Sequence, residues 1–145
     1  MSKITSPPLY EPMVDESKTP TIAWTLFFNR LFTGDTGTDW TPTFISLTQT
    51  GTPTITGKYY AINKNLVYFR VIITPATDTS SVAGTTYINN FPLSMRNHGL
   101  CGAALPSTGL GGTLGVCDYL SGRIYTPVWT AANIPVIVIG MVEAQ

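Results

Sequence analysis

The feature that most constrains the fold is the segment 66–74, in which large apolar side chains occupy every second position. Successive side chains of a β-strand point to opposite faces, so this alternation predicts a strand with one buried face. The triplet Asn63-Lys64-Asn65 just before it indicates a hairpin turn, because asparagine tolerates positive φ. The buried face is predicted to carry Val67, Phe69, Val71 and Ile73, and the opposite face Tyr68, Arg70 and Thr74.

Strand-sized segments recur from residue 40 onward, about 8–12 residues apart, with turn-forming residues between them. This spacing favours an all-β fold, and we predict a jelly-roll-like β-sandwich over residues 40–145. The polar segment 75–81 is predicted to be a loop. The predicted strands are Phe44–Thr48, Thr54–Ile62, Leu66–Thr74, Thr85–Phe91, Leu100–Leu105, Thr113–Leu120, Arg123–Trp129 and Val136–Glu143.

Residues 1–39 have a different pattern and are predicted to form an N-terminal arm and an anchoring helix. Residues 1–19 are polar and rich in proline, which favours an extended arm. The segment 20–33 predicts one short amphipathic helix, with Thr19 as its cap and Gly34 at its end. Its apolar stripe either packs on the core of the same chain or is buried against another subunit. The residues predicted to make assembly contacts are Leu9, Tyr10, Trp24, Phe27, Phe28, Leu31 and Phe32.

The charge content narrows the classes of partner. Only 11% of the 145 residues are charged, and eight Lys+Arg balance eight Asp+Glu. A nucleic-acid-binding protein would show a basic excess, so no such partner is expected. The longest apolar run, 135–142, is strand-sized, and the N-terminus lacks the apolar stretch of a secretory signal, so neither a membrane span nor secretion is expected. Much of the polar surface must come from the 23 threonines, and such a surface suits a protein inside an assembly.

The residues that could support catalysis or metal binding are few. His98 is the sole histidine and is expected to lie in a surface loop. With Cys101 and Cys117 it would supply only three of the four ligands of a structural zinc site. Asp35 and Asp39 lack the alternating ligand pattern of an EF-hand and are expected to cap turns. We therefore predict no enzymatic activity, no catalytic residue, no cofactor and no metal.

Cys101 and Cys117 flank a turn-rich stretch, which would make them cross-strand neighbours if residues 100–105 and 113–120 form a hairpin. They are expected to behave as two small buried apolar residues. A disulfide is the alternative, although synthesis in a cytosol disfavours it.

Several motifs follow one another in an order that resembles a known group of proteins. Trp40-Thr-Pro-Thr43 is followed by Gly57-Lys-Tyr-Tyr60, by the strand Asn65–Thr74 and by Gly84–Pro92, which ends in Phe-Pro. This order is similar to the small β-sandwich knobs of tailed-bacteriophage fibre and decoration proteins. The segments Pro7–Glu16 and Pro20–Phe28 look like the N-terminal attachment region of podovirus virion proteins.

The resemblance implies a non-enzymatic virion structural protein, synthesised and assembled in the host cytoplasm. Its expected partners are further copies of itself, as a homodimer or homotrimer, and the major capsid protein or another virion protein. The first interpretation is a capsid-surface decoration or cement protein that is held by its arm and helix.

Two alternatives remain. A short tail fibre or tail-tip module would bind a receptor such as a host surface glycan through the loops 75–83 and 106–112, and a soluble carbohydrate-binding module would act as a monomer. For either, aromatic side chains could supply stacking surfaces. The aromatic candidates are Tyr59, Tyr60, Tyr87, Tyr119, Tyr125 and Trp129.

Overall fold

The computed structural model describes residues 37–108 and 110–145, with residues 110–112 by their backbone alone. Residues 37–145 form one compact unit, and every helix or strand assigned within the described residues is a β-strand. The predicted all-β class is therefore confirmed. The strands are β1 (Thr38–Trp40), β2 (Phe44–Ile45), β3 (Thr48–Thr50), β4 (Thr54–Ala61), β5 (Leu66–Thr74), β6 (Asp78–Ser81), β7 (Tyr87–Ile88), β8 (Gly99–Leu105), β9 (Leu110–Asp118), β10 (Arg123–Tyr125), β11 (Trp129–Ala132) and β12 (Val136–Glu143).

The strands form two antiparallel, curled sheets. The large sheet has the order β1-β4-β5-β12-β8-β9-β10-β7-β2, and the small sheet has the order β11-β6-β3. The hairpin β4–β5 pairs eight residues of each strand, and β12 pairs with β5 over its full length. The C-terminal strand β12 thus lies between β5 and β8, which come from separate hairpins.

The core lies on the inner face of the large sheet, as the alternation in 66–74 predicted. Val67, Phe69, Val71 and Ile73 are all fully buried, which confirms the predicted inner face of β5. Val136, Val138 and Val142 of β12 bury the same face beside them. At the remaining inward position of β12, Gly140, an added Cβ would lie 2.5 Å from the Phe69 ring, so this glycine makes room for an aromatic side chain.

Buried hydroxyl groups help to connect the two sheets. Ser81 of β6 shares a 2.8 Å hydrogen bond with Thr126, which follows β10, and Thr126 Oγ1 donates to the carbonyl of Thr86. On the small sheet, Trp129 Nε1 donates to Thr79 Oγ1. Polar groups taken out of water are tolerated when they are hydrogen-bonded, and these side chains are at most 3% exposed. Some of the threonines expected on the surface therefore lie in the interior.

Several predicted boundaries are wrong. The predicted loop 75–81 contains β6, and the predicted strand Arg123–Trp129 is two strands in different sheets. The chain changes sheet at Thr126–Val128, where Pro127 has no N–H for a ladder. The predicted strand Phe44–Thr48 is divided at Ser46, which has a φ of 57°.

The hairpin at residues 63–65 is present, but its turn is built differently from the prediction. Asn63 Oδ1 accepts hydrogen bonds from the backbone N–H groups of Asn65 and Leu66 at 2.9 and 2.8 Å. The asparagine side chain thus closes the turn, and neither Asn63 nor Asn65 adopts positive φ.

The predicted arm, the predicted helix at 20–33 and all seven predicted assembly contacts lie outside the described residues. They stay predictions.

Candidate functional site

The most unusual surface of the described unit is the outer face of the large sheet, where five large apolar side chains are exposed on three adjacent strands. Leu100 on β8 is 59% exposed, Leu114 and Val116 on β9 are 71% and 44% exposed, and Ile139 and Met141 on β12 are 42% and 52% exposed. We call these five residues the apolar face. Single exposed apolar residues are ordinary on protein surfaces, whereas a contiguous group indicates an interaction site.

The strand register shows that the apolar face is contiguous. Met141 lies opposite Tyr68 on one side and Leu100 on the other, and Leu100 lies opposite Val116. Directly opposed side chains in antiparallel strands lie about 5 Å apart and contact one another. Tyr68, Met141, Leu100 and Val116 thus form a line across the sheet. Ile139 and Leu114 extend the face on one side of this line. Gly102 lies between these two residues and opposite both of them.

Charged residues border the apolar face on two sides, and each side carries both signs of charge, with Lys58 beside Asp39 on one and Arg123 opposite Asp118 on the other. Beside Ile139 lie Arg70 on β5 and then Lys58 on β4, which forms an ion pair with Asp39 at 3.4 Å. Past Met141 and Val116, on the opposite side of the line, lie Glu143 and Asp118. The face is therefore apolar at its centre and carries both signs of charge at its border.

A second cluster surrounds His98 at the acidic border. His98 Nδ1 lies 3.4 Å from Asp118 Oδ1, and the His98 ring meets the edge of Tyr119 at a centroid distance of 4.8 Å. Ser121 donates a 2.6 Å hydrogen bond to Asp118, and the Leu120 N–H donates to the same carboxylate. The bond from Ser121 is the main reason that the pKa of Asp118 is lowered, with smaller contributions from the Leu120 N–H and from His98. A carboxylate beside an exposed aromatic ring can bind a polar ligand that also has an apolar surface, such as a sugar.

The two cysteines lie on the inner face and away from this cluster. Cys101 and Cys117 are buried free thiols in the β8–β9 hairpin, which confirms that they serve as small buried residues. The hydrogen bond with Cys101 and burial both raise the pKa of Cys117, so it stays protonated. Cys101 Sγ also donates to the carbonyl of Tyr125 at 3.4 Å.

The possible zinc ligands do not converge. His98 is exposed at the edge of the outer face, whereas Cys101 and Cys117 face the core. Within residues 37–108 and 113–145, no three His, Cys, Asp or Glu side chains are grouped as metal ligands would be. Asp39 pairs with Lys58, and Asp35 lies outside the described residues.

The predicted loops and aromatic residues are only partly available for binding. Thr79 and Ser81, within the predicted contact loop 75–83, are buried in β6, so the prediction that this whole segment is a binding loop is wrong. Trp129 is 3% exposed and belongs to the core, whereas Tyr119 is 40% exposed. In the loop 106–112, residues 106–108 form an exposed turn.

The motifs quoted for the phage resemblance meet in one aromatic cluster. Trp40 contacts Tyr59, Phe69 and Phe91 edge-on at centroid distances of 6.4, 6.4 and 5.5 Å. Trp40 pairs with Gly57 across β1 and β4, and Gly57 lies beneath the indole ring. Segments that are far apart in sequence therefore form one packing unit.

The apolar face was not predicted, although the sequence contains a signal for it. Residues 136–142 are apolar at both alternating sets of positions, which is typical of a strand covered on both faces. Only the register of the three strands β12, β8 and β9 shows that Met141, Leu100 and Val116 are neighbours.

Comparison with known proteins identifies no relative: no family model, no curated protein and no solved structure matches the chain. Among the residues that the structure describes, no helix has the length and apolar content needed to cross a bilayer.

Proposed function

We propose that this chain is a non-enzymatic structural protein of a bacteriophage particle, and specifically a decoration or cement protein on the capsid surface. In this role the N-terminal arm and the predicted helix attach the chain to the major capsid protein. The compact unit of residues 37–145 then forms the outer body.

The apolar face is the observation that carries this proposal. A chain with 11% charged residues and no net charge leaves five large apolar side chains exposed on adjacent strands. Exposed apolar area of this kind promotes association, and burying it against another protein removes it from water. A permanent assembly is the setting in which such a face is an advantage.

The aromatic cluster gives additional support. The motifs that resemble phage knob domains include Trp40, Gly57 and Phe91, and these residues pack on one another. The motifs therefore have a shared structural role as one packing unit.

A capsid role can be tested by labelling intact virions of the phage that encodes the chain. Gold-conjugated antibody against residues 43–145 would be viewed by electron microscopy, with particles lacking the gene product as the control. We expect label distributed over the head. Particles without label at any position would contradict the virion proposal.

The second candidate function is receptor binding by a short tail fibre or tail tip, and the cluster of His98, Asp118 and Tyr119 favours it. This cluster combines an exposed ring with a carboxylate. Label confined to the tail would support this candidate. Receptor binding by this cluster also predicts that Tyr119→Ala reduces adsorption to host cells at least ten-fold while particle yield stays unchanged.

A further inference from the structure

We infer that a cleft on the outer face of the large sheet binds the carboxylate of an acidic sugar, such as a hexuronate. The cleft lies at β1, β4 and β5 and is lined by Asp39, Thr56, Gly57, Lys58, Arg70 and Ile72. We call it the basic cleft. It is separate from the cluster around His98, because Asp118 is on β9 and two strands lie between β9 and β5. The inference goes beyond the proposed structural role and does not depend on it.

Two cations face each other across the basic cleft. Lys58 on β4 and Arg70 on β5 are directly opposed in the antiparallel register. Directly opposed side chains lie about 5 Å apart, and like charges in such a pair repel each other. Lys58 is also paired with Asp39 at 3.4 Å, whereas Arg70 forms no ion pair within residues 37–108 and 113–145. An anion beside Arg70 would neutralise its charge and relieve its repulsion from Lys58.

The guanidinium of Arg70 suits a carboxylate. Its planar fork of N–H groups matches the two oxygens of a carboxylate or phosphate in a bidentate contact. A carboxylate brings one negative charge, which balances the single charge of Arg70. A phosphate group would bring close to two, and the excess would lie near the carboxylate of Asp39. Ile139 lies opposite Arg70 on β12, and an apolar neighbour strengthens a charge pair by lowering the local dielectric constant.

The size of the basic cleft limits what enters it. Its volume is about 80 Å³. Pockets that enclose a whole small molecule measure roughly 300–1,000 Å³. The cleft therefore fits one functional group, and the rest of the ligand would lie on the surface beside it.

The surface beside the cleft suits a sugar ring. Tyr60 and Tyr68 are directly opposed and half-buried, with ring centroids 5.6 Å apart. They lie two residues along their strands from Lys58 and Arg70, which is about 6.8 Å. Aromatic rings pack against the C–H groups of a sugar, and the Thr56 hydroxyl, on the other side of the cleft, can hydrogen-bond with its hydroxyl groups. A carboxylate attached to a sugar ring would therefore contact both the cations and the tyrosines.

The first test is an NMR titration of the ¹⁵N-labelled full-length chain with sodium glucuronate, with glucose as the neutral control. We expect glucuronate to shift the Arg70 Nε–H signal with a dissociation constant of about 1–10 mM at low salt. Glucose should bind at least about ten-fold more weakly, because it lacks the carboxylate. No shift of this signal at about 50 mM glucuronate, or equal binding of glucose, would overturn the inference.

Two further probes separate an acidic sugar from other anions. Acetate has the carboxylate without the ring, and glucose 6-phosphate has the ring with a phosphate. We expect each to bind at least about five-fold more weakly than glucuronate. Acetate binding as tightly as glucuronate would show that the tyrosines contribute nothing, and tighter binding of glucose 6-phosphate would show a phosphate site. Either result would overturn the assignment to an acidic sugar.

The second test removes the guanidinium. Arg70→Gln should weaken glucuronate binding at least about ten-fold, and Arg70→Lys, which keeps the charge without the fork, by about three-fold. Arg96→Gln is the matched control, because Arg96 is exposed outside the cleft and its loss changes the net charge equally. Equal effects of Arg70→Gln and Arg96→Gln would show attraction by net charge alone and would overturn the inference.

The third test concerns the tyrosines. Tyr68→Leu keeps an apolar side chain at a half-buried position, so it should weaken glucuronate binding about three-fold while acetate binding stays unchanged. Unchanged binding of glucuronate would contradict contact with the ring. The titration of the wild-type chain at the Arg70 Nε–H signal needs no substitution, so it decides the inference even if a variant fails to fold.

Discussion

Gly57 is a position where the packing excludes any side chain. An added Cβ would lie 2.7 Å from Trp40 Cε3 and 2.8 Å from Pro42 Cγ. Gly57→Ala must therefore displace the indole, and we expect it to lower the free energy of unfolding by about 1–3 kcal/mol. Urea unfolding at fixed protein concentration measures this change.

The matched control for Gly57 is Gly102→Ala, on the outer face of β8. The new Cβ there meets no atom within 4 Å, so the free energy of unfolding should change by no more than about 0.5 kcal/mol. Equal effects of the two substitutions would contradict the close packing of Gly57 against Trp40.

Asp118 should make stability depend on pH in the acid range. Its pKa is lowered in the folded state, mainly by the Ser121 hydroxyl, so its contribution is complete above the unfolded pKa of about 4. That contribution is lost as pH falls through the folded pKa. We expect Asp118→Asn to be less stable than wild type at pH 6 and to approach wild type near pH 2, as measured by urea unfolding.

Ser121→Ala tests the cause of this pH dependence. It removes the strongest interaction that lowers the pKa of Asp118, so the acid-range loss of stability should become smaller and be complete at a higher pH. If Asp118→Asn and Ser121→Ala both kept the wild-type dependence of stability on pH, other carboxylates would determine that dependence.

At the scale of elements, the hydroxyl pair Ser81–Thr126 should contribute to holding the two sheets together. Thr126→Val leaves the Ser81 hydroxyl buried without its partner, which should cost about 1–3 kcal/mol. The double variant Ser81→Ala/Thr126→Val should cost less than the sum of the single variants, because it removes both groups. A double-mutant cycle measured by urea unfolding gives this coupling.

Thr130→Val serves as the control for the hydroxyl pair. Thr130 lies on β11 but is exposed, so its loss should change the free energy of unfolding by less than about 0.5 kcal/mol. Strict additivity in the cycle would contradict the proposed coupling between the sheets.

The elements show which parts of the fold the sequence can predict. Leu66–Thr74 and Val136–Glu143 have the predicted bounds, because their apolar side chains are buried at every second position. β6 was missed because Asp78–Ser81 contains no apolar side chain. Its burial depends on hydrogen bonds from distant residues such as Thr126 and Trp129, and no local pattern reveals them.

The candidate site, like the fold, could be predicted from the sequence only in part. The two-sided apolar pattern of residues 136–142 could have indicated a covered outer face. Its neighbours Leu100 and Val116 come from a separate hairpin, and only tertiary pairing of β12 with β8 brings them together. By contrast, the exposed position of His98 was predicted and is confirmed.

In the whole molecule, the proposed role separates the segment that attaches the chain from the body that it attaches. The predicted arm, residues 1–19, would serve attachment, whereas the apolar face belongs to the compact unit 37–145. Removal of residues 1–19 should therefore lower incorporation into virions at least ten-fold. Quantitative immunoblotting of purified particles measures this incorporation.

The same truncation should leave the compact unit intact. Because residues 37–145 form a unit of their own, the midpoint of thermal unfolding should shift by less than about 3 °C. Normal incorporation of the truncated chain would contradict attachment through the arm. Attachment would then have to be sought in the body itself.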